Sequence, residues 1–336
     1  MNSIETERLT KRFRLLNSYR DLLLYPWQRS TKLAVDELTL TVNGGELFGL
    51  LGENGAGKTT LIRMLSTTLL PTSGRGVVAG HDVVREPHQV RRMIGLVTGD
   101  ERSFYWRLTG RQNLVYFATL YHLSSHEMRP RVDALLETLG IGQYADQPFN
   151  TYSAGTRQKF AIARGLLTDP QLLFLDEPTR SLDPIAADEV RRYISQHIVG
   201  DLGRTVLLAT HTLSEAEAIC SRVGIIRHGR LVAIGSMDEL RRRMKLGSVL
   251  ELVLDTASAE LMTRIGQVQG VENVSGGPGD GASLRVEFDG REGVLDAVLR
   301  VVADCGARVQ SCTTRSPTLE EIYRAVHAGD PGEQAA

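Results

Sequence analysis

The sequence predicts an α/β fold with a largely parallel sheet, an α-helical subdomain inserted into it, and a small α+β unit at the C-terminal end. Three observations carry this. Apolar runs at Leu47–Leu51 and at residues 93–97, 172–175, 206–209 and 223–226 have strand length and no polar alternation, the pattern of strands covered on both faces. Helix-period stretches, such as residues 58–65 and 184–198, lie between them. From about residue 108 to about 167 strand patterns vanish and helical ones dominate.

Taken in order, the chain opens on a strand-like Leu9-Thr10-Lys11-Arg12-Phe13, followed by an extra segment over residues 14–32. In that segment Leu15, Leu16, Tyr19, Leu22 and Leu23 fall on one helix face, Pro26 ends the pattern, and Arg14, Arg20, Arg29 and Lys32 surround it. Two readings stay open for it: a basic amphipathic element at a membrane surface, or an element packed on its own domain. The α/β pattern then runs to about residue 245. Beyond residue 246 a strand-like stretch at 249–254 precedes a helix-like one at 258–265. A Gly/Ser/Pro-rich loop at 275–282, an alternating strand at 284–288, a helix from about 293 and a strand near 309–312 follow. Thr318-Leu319-Glu320-Glu321 is a capping-box pattern that opens a last helix. The expected domains are therefore residues 1–245, with the helical subdomain at about 108–167, and residues 246–329; residues 330–336 are expected to be a disordered tail.

With 336 residues, 42% of them hydrophobic, the chain can bury one large core and a smaller one. A formal net charge of −1 offers no global basic field, so no nucleic-acid partner is expected. Cys220, Cys305 and Cys312 lie far apart with no C-x-x-C pair, which gives neither a zinc site nor a disulfide framework and suits a reducing cytosol. No apolar run approaches the ~20 residues that span a bilayer, and the N-terminus lacks a signal-peptide pattern. Any membrane role is therefore expected from the cytoplasmic face, as a peripheral subunit.

The chemistry lies in the first domain. Gly52-Glu53-Asn54-Gly55-Ala56-Gly57-Lys58-Thr59 follows an apolar strand and, with Thr60, opens a helix, the context of a phosphate-binding P-loop. Its glycines let backbone N–H groups curl around phosphate oxygens, and the helix N-terminus adds partial positive charge. Lys58 can reach the β- and γ-phosphates of ATP, and Thr59 can ligate Mg²⁺. Leu172-Leu173-Phe174-Leu175-Asp176-Glu177 ends a strand on two acids. Asp176 can hold the Mg²⁺ shell and Glu177 can polarise the attacking water as general base.

Tyr152-Ser153-Ala154-Gly155-Thr156-Arg157-Gln158-Lys159 resembles the signature sequence of the ATP-binding-cassette (ABC) ATPases. Pro178-Thr179-Arg180-Ser181-Leu182-Asp183-Pro184 matches that family's D-loop, and Thr210-His211 its switch histidine. The motifs stand in the family's order over roughly residues 2–240. The resemblance implies a P-loop NTPase fold of the ABC nucleotide-binding type and ATP hydrolysis coupled to transport. It implies a dimer, a homodimer in the simplest case, in which Ser153, Ala154 and Gly155 cap the γ-phosphate bound to the opposite subunit. It also implies an interface role for Asp183, contact of His211 with the γ-phosphate and attacking water, and stacking of Phe13 on adenine. Read locally, Ser153 is also an N-cap, Asp183-Pro184 an N-cap with N1 proline, and Thr212-Leu213-Ser214-Glu215 a capping box.

Two places depart from the family. Its usual glutamine falls on Gly99 when aligned from the left and on Asp100 when aligned from the right, with Glu101 adjacent as another oxygen donor. In the signature, tyrosine and alanine replace the usual leucine and first glycine, and Thr156 the usual glutamine. The C-terminal Pro317-Thr318-Leu319-Glu320-Glu321-Ile322-Tyr323 resembles the extension of ABC-2 exporter ATPases, of drug and polysaccharide type. The expectation is an ATPase subunit that drives export through a separate polytopic transmembrane subunit. The alternative is a soluble ABC ATPase acting on ribosomes or DNA, whose usual paired cassettes, coiled coils and zinc motifs are not seen.

Overall fold

Two long strands begin the chain. Asn2–Arg14 (β1) and Thr31–Asn43 (β2) pair antiparallel, with register from Asn2 opposite Asn43 to Arg14 opposite Thr31. The end of β2 alternates: Leu38, Leu40 and Val42 are buried while Thr39 and Thr41 face out. A period of two puts one face of the pair against a core. Ser73–Val78 (β4) pairs antiparallel with β1, and His81–Asp82 (β5) with β4, giving the sheet order β2-β1-β4-β5. The structure is a computed structural model that describes residues 2–14, 31–98, 103–244, 247–277, 279–280, 282–291 and 293–328. The amphipathic segment expected over residues 14–32 lies outside the described residues for positions 15–30, as do Gly99, Asp100, Glu101 and the tail at 330–336.

The apolar runs form a second sheet. Leu47–Leu51 (β3), Ile94–Thr98 (β6), Leu172–Asp176 (β7), Thr205–Thr210 (β8), Arg222–Arg227 (β9) and Arg230–Gly235 (β10) lie in the order β10-β9-β3-β8-β7-β6. The pairs β3–β9, β3–β8, β7–β8 and β6–β7 are parallel. Every residue of β3 and β8 is buried, as the lack of polar alternation predicts. Helix Lys58–Leu65 turns Leu61, Ile62 and Leu65 into one core with Leu38, Leu40 and Val42 of the antiparallel sheet and Phe48, Leu50 and Leu207 of the parallel one. Each such side chain, fully buried, contributes roughly 1.5–3 kcal/mol.

Between β6 and β7 the chain forms helices Gly110–Leu120, Ser125–Thr138 and Ala154–Leu166 with short 3₁₀ turns. Thr109 with Gln112 and Ser124 with Glu127 make full capping boxes. Phe104 stacks on Phe149 at 4.5 Å, and Tyr152 on Phe160 at 5.0 Å. The helix expected over residues 184–198 divides into an α-helix, Pro184–Arg192, and a π-helical stretch, Tyr193–Asp201.

The chain divides into two compact units, Met1–Ile234 and Gly235–Ala336. In the second, strands Ser248–Leu254 (β11), Val271–Gly276 (β13), Ser283–Phe288 (β15) and Val309–Arg315 (β16) form an antiparallel sheet in the order β13-β15-β11-β16. Helices Ala259–Gly266 and Val294–Asp304 join β11 to β13 and β15 to β16, the split β-α-β arrangement. Leu250, Leu252, Leu284 and Val286 share a core with Leu261, Ile265, Val298 and Val302. Thr318 and Glu321 form the expected reciprocal cap of the last helix, Leu319–Ala328. Strand β13 has no strand pattern in the sequence, because it lies at the sheet edge and is half exposed.

Candidate functional site

Parallel pairing brings the carboxyl ends of β3, β8, β7 and β6 side by side, the usual ligand-binding edge of such a sheet. Leu51 stands opposite Thr210, Asp176 opposite Ala209 and Thr98 opposite Asp176. The P-loop, the acidic pair and His211 follow directly from those ends, so motifs separated by more than a hundred positions meet at one edge.

The P-loop needs its glycines for space and conformation. Gly57 has φ +112°, and a Cβ there would stand 2.4 Å from the Ala34 carbonyl oxygen. At Gly52 a Cβ would stand 2.3 Å from the Ile226 carbonyl oxygen. Helix Lys58–Leu65 has no side-chain cap and no acid in its first turn, so its first N–H groups keep their capacity for an anion. The Lys58 ammonium is buried and donates to the carbonyls of Gly52 at 2.6 Å and Glu53 at 3.1 Å. Burial lowers its pKa, and the nearby Glu177 and Asp176 carboxylates oppose that shift.

Thr59 Oγ1 donates to Asp176 Oδ2 at 2.8 Å. Burial, chiefly, raises the Asp176 pKa and the neighbouring Glu177 charge adds to it, while the Thr59 hydrogen bond acts the other way. Two hard oxygen donors beside a lysine, one of them a buried carboxylate that a cation would stabilise, form a donor set that suits Mg²⁺. Glu177 sits at φ +52°, a left-handed backbone worth about 1–3 kcal/mol of strain for a non-glycine residue. Its peptide N–H donates to the Ala209 carbonyl at 2.8 Å. One carboxylate oxygen lies 2.9 Å from His211 Nδ1 and the other accepts from Arg180 at 3.2 Å. Arg180 was not among the expected site residues; its spacing of three from Glu177 is the only sequence signal for it.

Phe13 is exposed at the rim and lines a cleft of about 220 Å³ with Asn54, Gly55, Gly57, Lys58, Thr59, Thr60 and Glu177. Register places Phe13 opposite Lys32, which lines the same cleft. Lys11 Nζ sits 5.3 Å from the centre of the Phe13 ring. An adjoining cleft of about 970 Å³ contains Thr59, Thr98, Trp106, Asp176, Glu177 and Arg180. Glu53 meets the site through its carbonyl, and Ala56 packs into the core.

The signature lies elsewhere. Ser153, Ala154 and Gly155 are not among the residues that line either cleft of their own chain. Ser153 Oγ caps helix Ala154–Leu166, accepting from the Thr156 N–H at 3.1 Å and pairing with Thr156 Oγ1 at 2.9 Å. Asp183 caps the next helix through the N–H groups of Ile185 and Ala186. The two helices touch: a Cβ on Gly155 would stand 2.9 Å from that of Ala186, and Lys159 pairs with Glu189 at 2.8 Å. The tyrosine in place of the family's leucine has a local reason. Its ring is buried, and its hydroxyl accepts from Gly110 N at 3.0 Å and contacts the carbonyls of Tyr144 and Gln147. The capping box expected at Thr212 and Glu215 is absent: Thr212 makes no side-chain cap, and the Glu215 carboxylate turns to Thr179 Oγ1 at 2.7 Å.

The fold and its loop order are those of a P-loop NTPase. Residues 35–180 match the family model of the ABC transporter ATP-binding domain. Over 294 residues, covering 87% of this chain and 90% of the relative, it is 38% identical to the daunorubicin resistance ATP-binding protein DrrA3 of Streptomyces coeruleorubidus. It is 39% identical over 303 residues, 89% of each chain, to the daunorubicin/doxorubicin resistance ATP-binding protein DrrA of Streptomyces peucetius. Among solved structures it resembles cbiO1 of Clostridium perfringens, part of an ABC transporter complex, with a TM-score of 0.61 and 28% identity, covering 71% of this chain and 90% of that one. The chain belongs to the ABC transporter ATP-binding proteins: it binds ATP, and it hydrolyses ATP in the service of transport.

Proposed function

We propose that this chain powers export by hydrolysing ATP in a site completed by a second ATPase subunit. The observation that carries this reading is the convergence of Thr59 with Asp176 and of Glu177 with His211 on one sheet edge, with Ser153 outside both clefts.

In this reading Phe13 stacks on the adenine, and the amides that follow Gly55 and Gly57 receive phosphate oxygens. Lys58 exchanges its contacts with the loop carbonyls for the β- and γ-phosphates. Thr59 and Asp176 hold Mg²⁺, which when bound offsets charge on the transferring phosphoryl group. Glu177 takes the proton of the attacking water, and His211 orients its carboxylate. Ser153 and Gly155 of the second subunit close over the γ-phosphate, and Asp183 lies at that interface. The segment holding Gly99 and Asp100 supplies what the family's glutamine would. The resistance relatives support export, through a separate polytopic transmembrane subunit at the cytoplasmic face of the membrane. No helix among the described residues is long and apolar enough to cross a membrane, which fits a separate membrane subunit.

Glu177→Gln tests the base. It should lower steady-state hydrolysis by ~10²-fold or more while ATP binding and ATP-dependent dimerisation persist. Turnover near wild type would contradict the assignment.

A further inference from the structure

We propose that Thr179 and Glu215 form a positioning pair that holds the left-handed turn of Glu177 against the His211 segment. The proposal rests on the reading of Glu177 as general base and goes beyond it, because neither residue of the pair touches that carboxylate.

The geometry is a two-point clamp. The segment that carries Glu177 and the segment that carries His211 meet at Glu177 Oε1 and His211 Nδ1, 2.9 Å apart. They meet again two residues further along the first and four along the second, where Thr179 Oγ1 donates to Glu215 Oε1 at 2.7 Å. One contact alone would let the turn pivot about it; two fix both its position and its orientation. The turn needs such support. Glu177 lies at φ +52° and Ser181 at φ +65°, so two non-glycine residues within five hold left-handed backbone. The turn's own hydrogen bonds, Arg180 N to Glu177 O and Leu182 N to Thr179 O, are each 3.2 Å.

Glu215 is an unusual choice for mere packing. It is 1% exposed, and its Oε2 has no hydrogen-bond partner among the described residues. A buried carboxylate oxygen without a partner is costly. Its fixed contact is therefore the Thr179 hydroxyl, and the helix Leu213–Ile219 forgoes its capping box to make it. Glu215 thereby passes the position of the His211 helix to the turn that aims the base.

The full chain is assayed as Thr179→Val, Thr179→Ser and Glu215→Leu, with Glu177→Gln in parallel. Each variant is read for kcat per folded chain, KM, ATP affinity and Tm. Removing the donor or the acceptor should lower kcat by ~10-fold or more with KM and ATP affinity within about twofold, the mark of a misplaced base. Thr179→Ser, which keeps the hydroxyl, should return to within about threefold of wild type. Combined with His211→Ala, Thr179→Val should cost less than the product of the two single losses, because both contacts hold one turn. A merely structural pair would lower Tm and leave kcat per folded chain unchanged, and that result overturns the proposal. So does a Thr179→Ser chain as slow as Thr179→Val. Glu215→Leu probes the contact from the other side should Thr179→Val not fold. If Glu177→Gln itself keeps wild-type turnover, the base reading fails and takes the proposal with it. If Glu177→Gln is inactive while both clamp variants are fully active, the clamp alone fails.

Discussion

At the scale of the residue, steric room and backbone conformation decide the P-loop more than charge does. Gly57 combines φ +112° with a backbone oxygen 2.4 Å from where a Cβ would stand. Gly57→Ala must therefore shift the loop or Ala34, and ATP affinity, measured by titration calorimetry, should fall by roughly tenfold or more. Gly55, with φ +86° and open space around it, carries conformational strain alone and should tolerate alanine better. These roles were legible in the sequence, because the glycine and lysine spacing is itself the chemistry. The meeting of Glu177 with His211 was not, since it depends on the β7–β8 register rather than on anything within 34 residues of chain. Glu215 was misread for a related reason. A local capping pattern was present, and a tertiary partner, Thr179, took the carboxylate away from it.

At the scale of the element, the departures from the family's signature prove to be local solutions. Tyr152 ties the start of helix Gly110–Leu120 to the carbonyls of Tyr144 and Gln147 through one hydroxyl. Tyr152→Phe leaves those buried groups without that partner and should destabilise the helical segment by about 1–3 kcal/mol, read as a lower midpoint in urea. Strands of the parallel sheet were legible from unbroken apolar runs, and capped helices from their first turns. Edge elements were not: β13 has exposed positions and too few apolar residues for a period. In the second unit, Asp255 accepts from the N–H groups of Arg308 and Thr256, and these bonds, Arg308 first, hold its carboxyl below the usual range. A depressed folded pKa gives stability that is complete above the unfolded value, near 3.9, and is lost as pH falls through the folded one. Hydrogen exchange at the Arg308 amide should accelerate, beyond the intrinsic pH effect, only in that acid range, and Asp255→Asn should remove the dependence.

At the scale of the whole molecule, two units each have a core of their own, and the chemistry is confined to the first. Within it the P-loop, Asp176, Glu177 and His211 share one sheet edge. The signature helix is instead bound to the helix after the D-loop by Lys159 and Glu189. Signature and D-loop thus form a connected surface away from their own clefts, which is what a site shared between two subunits requires. The fold class could be read from the alternation of apolar runs and helices. The sharing of the site could be suspected only through family resemblance, because no spacing in one chain encodes what a second chain supplies.

The central claim, hydrolysis across a subunit interface, is tested most directly by mixing two inactive chains, Lys58→Ala and Ser153→Arg. Each should hydrolyse ATP negligibly alone. A mixed dimer restores one composite site, with an intact P-loop from the Ser153→Arg chain and an intact signature from the Lys58→Ala chain. At equal amounts, recovery should approach about a quarter of the wild-type rate, half the dimers being mixed with one whole site in each. Wild-type turnover by the Ser153→Arg chain alone, or a mixture no more active than its parts, would contradict the account.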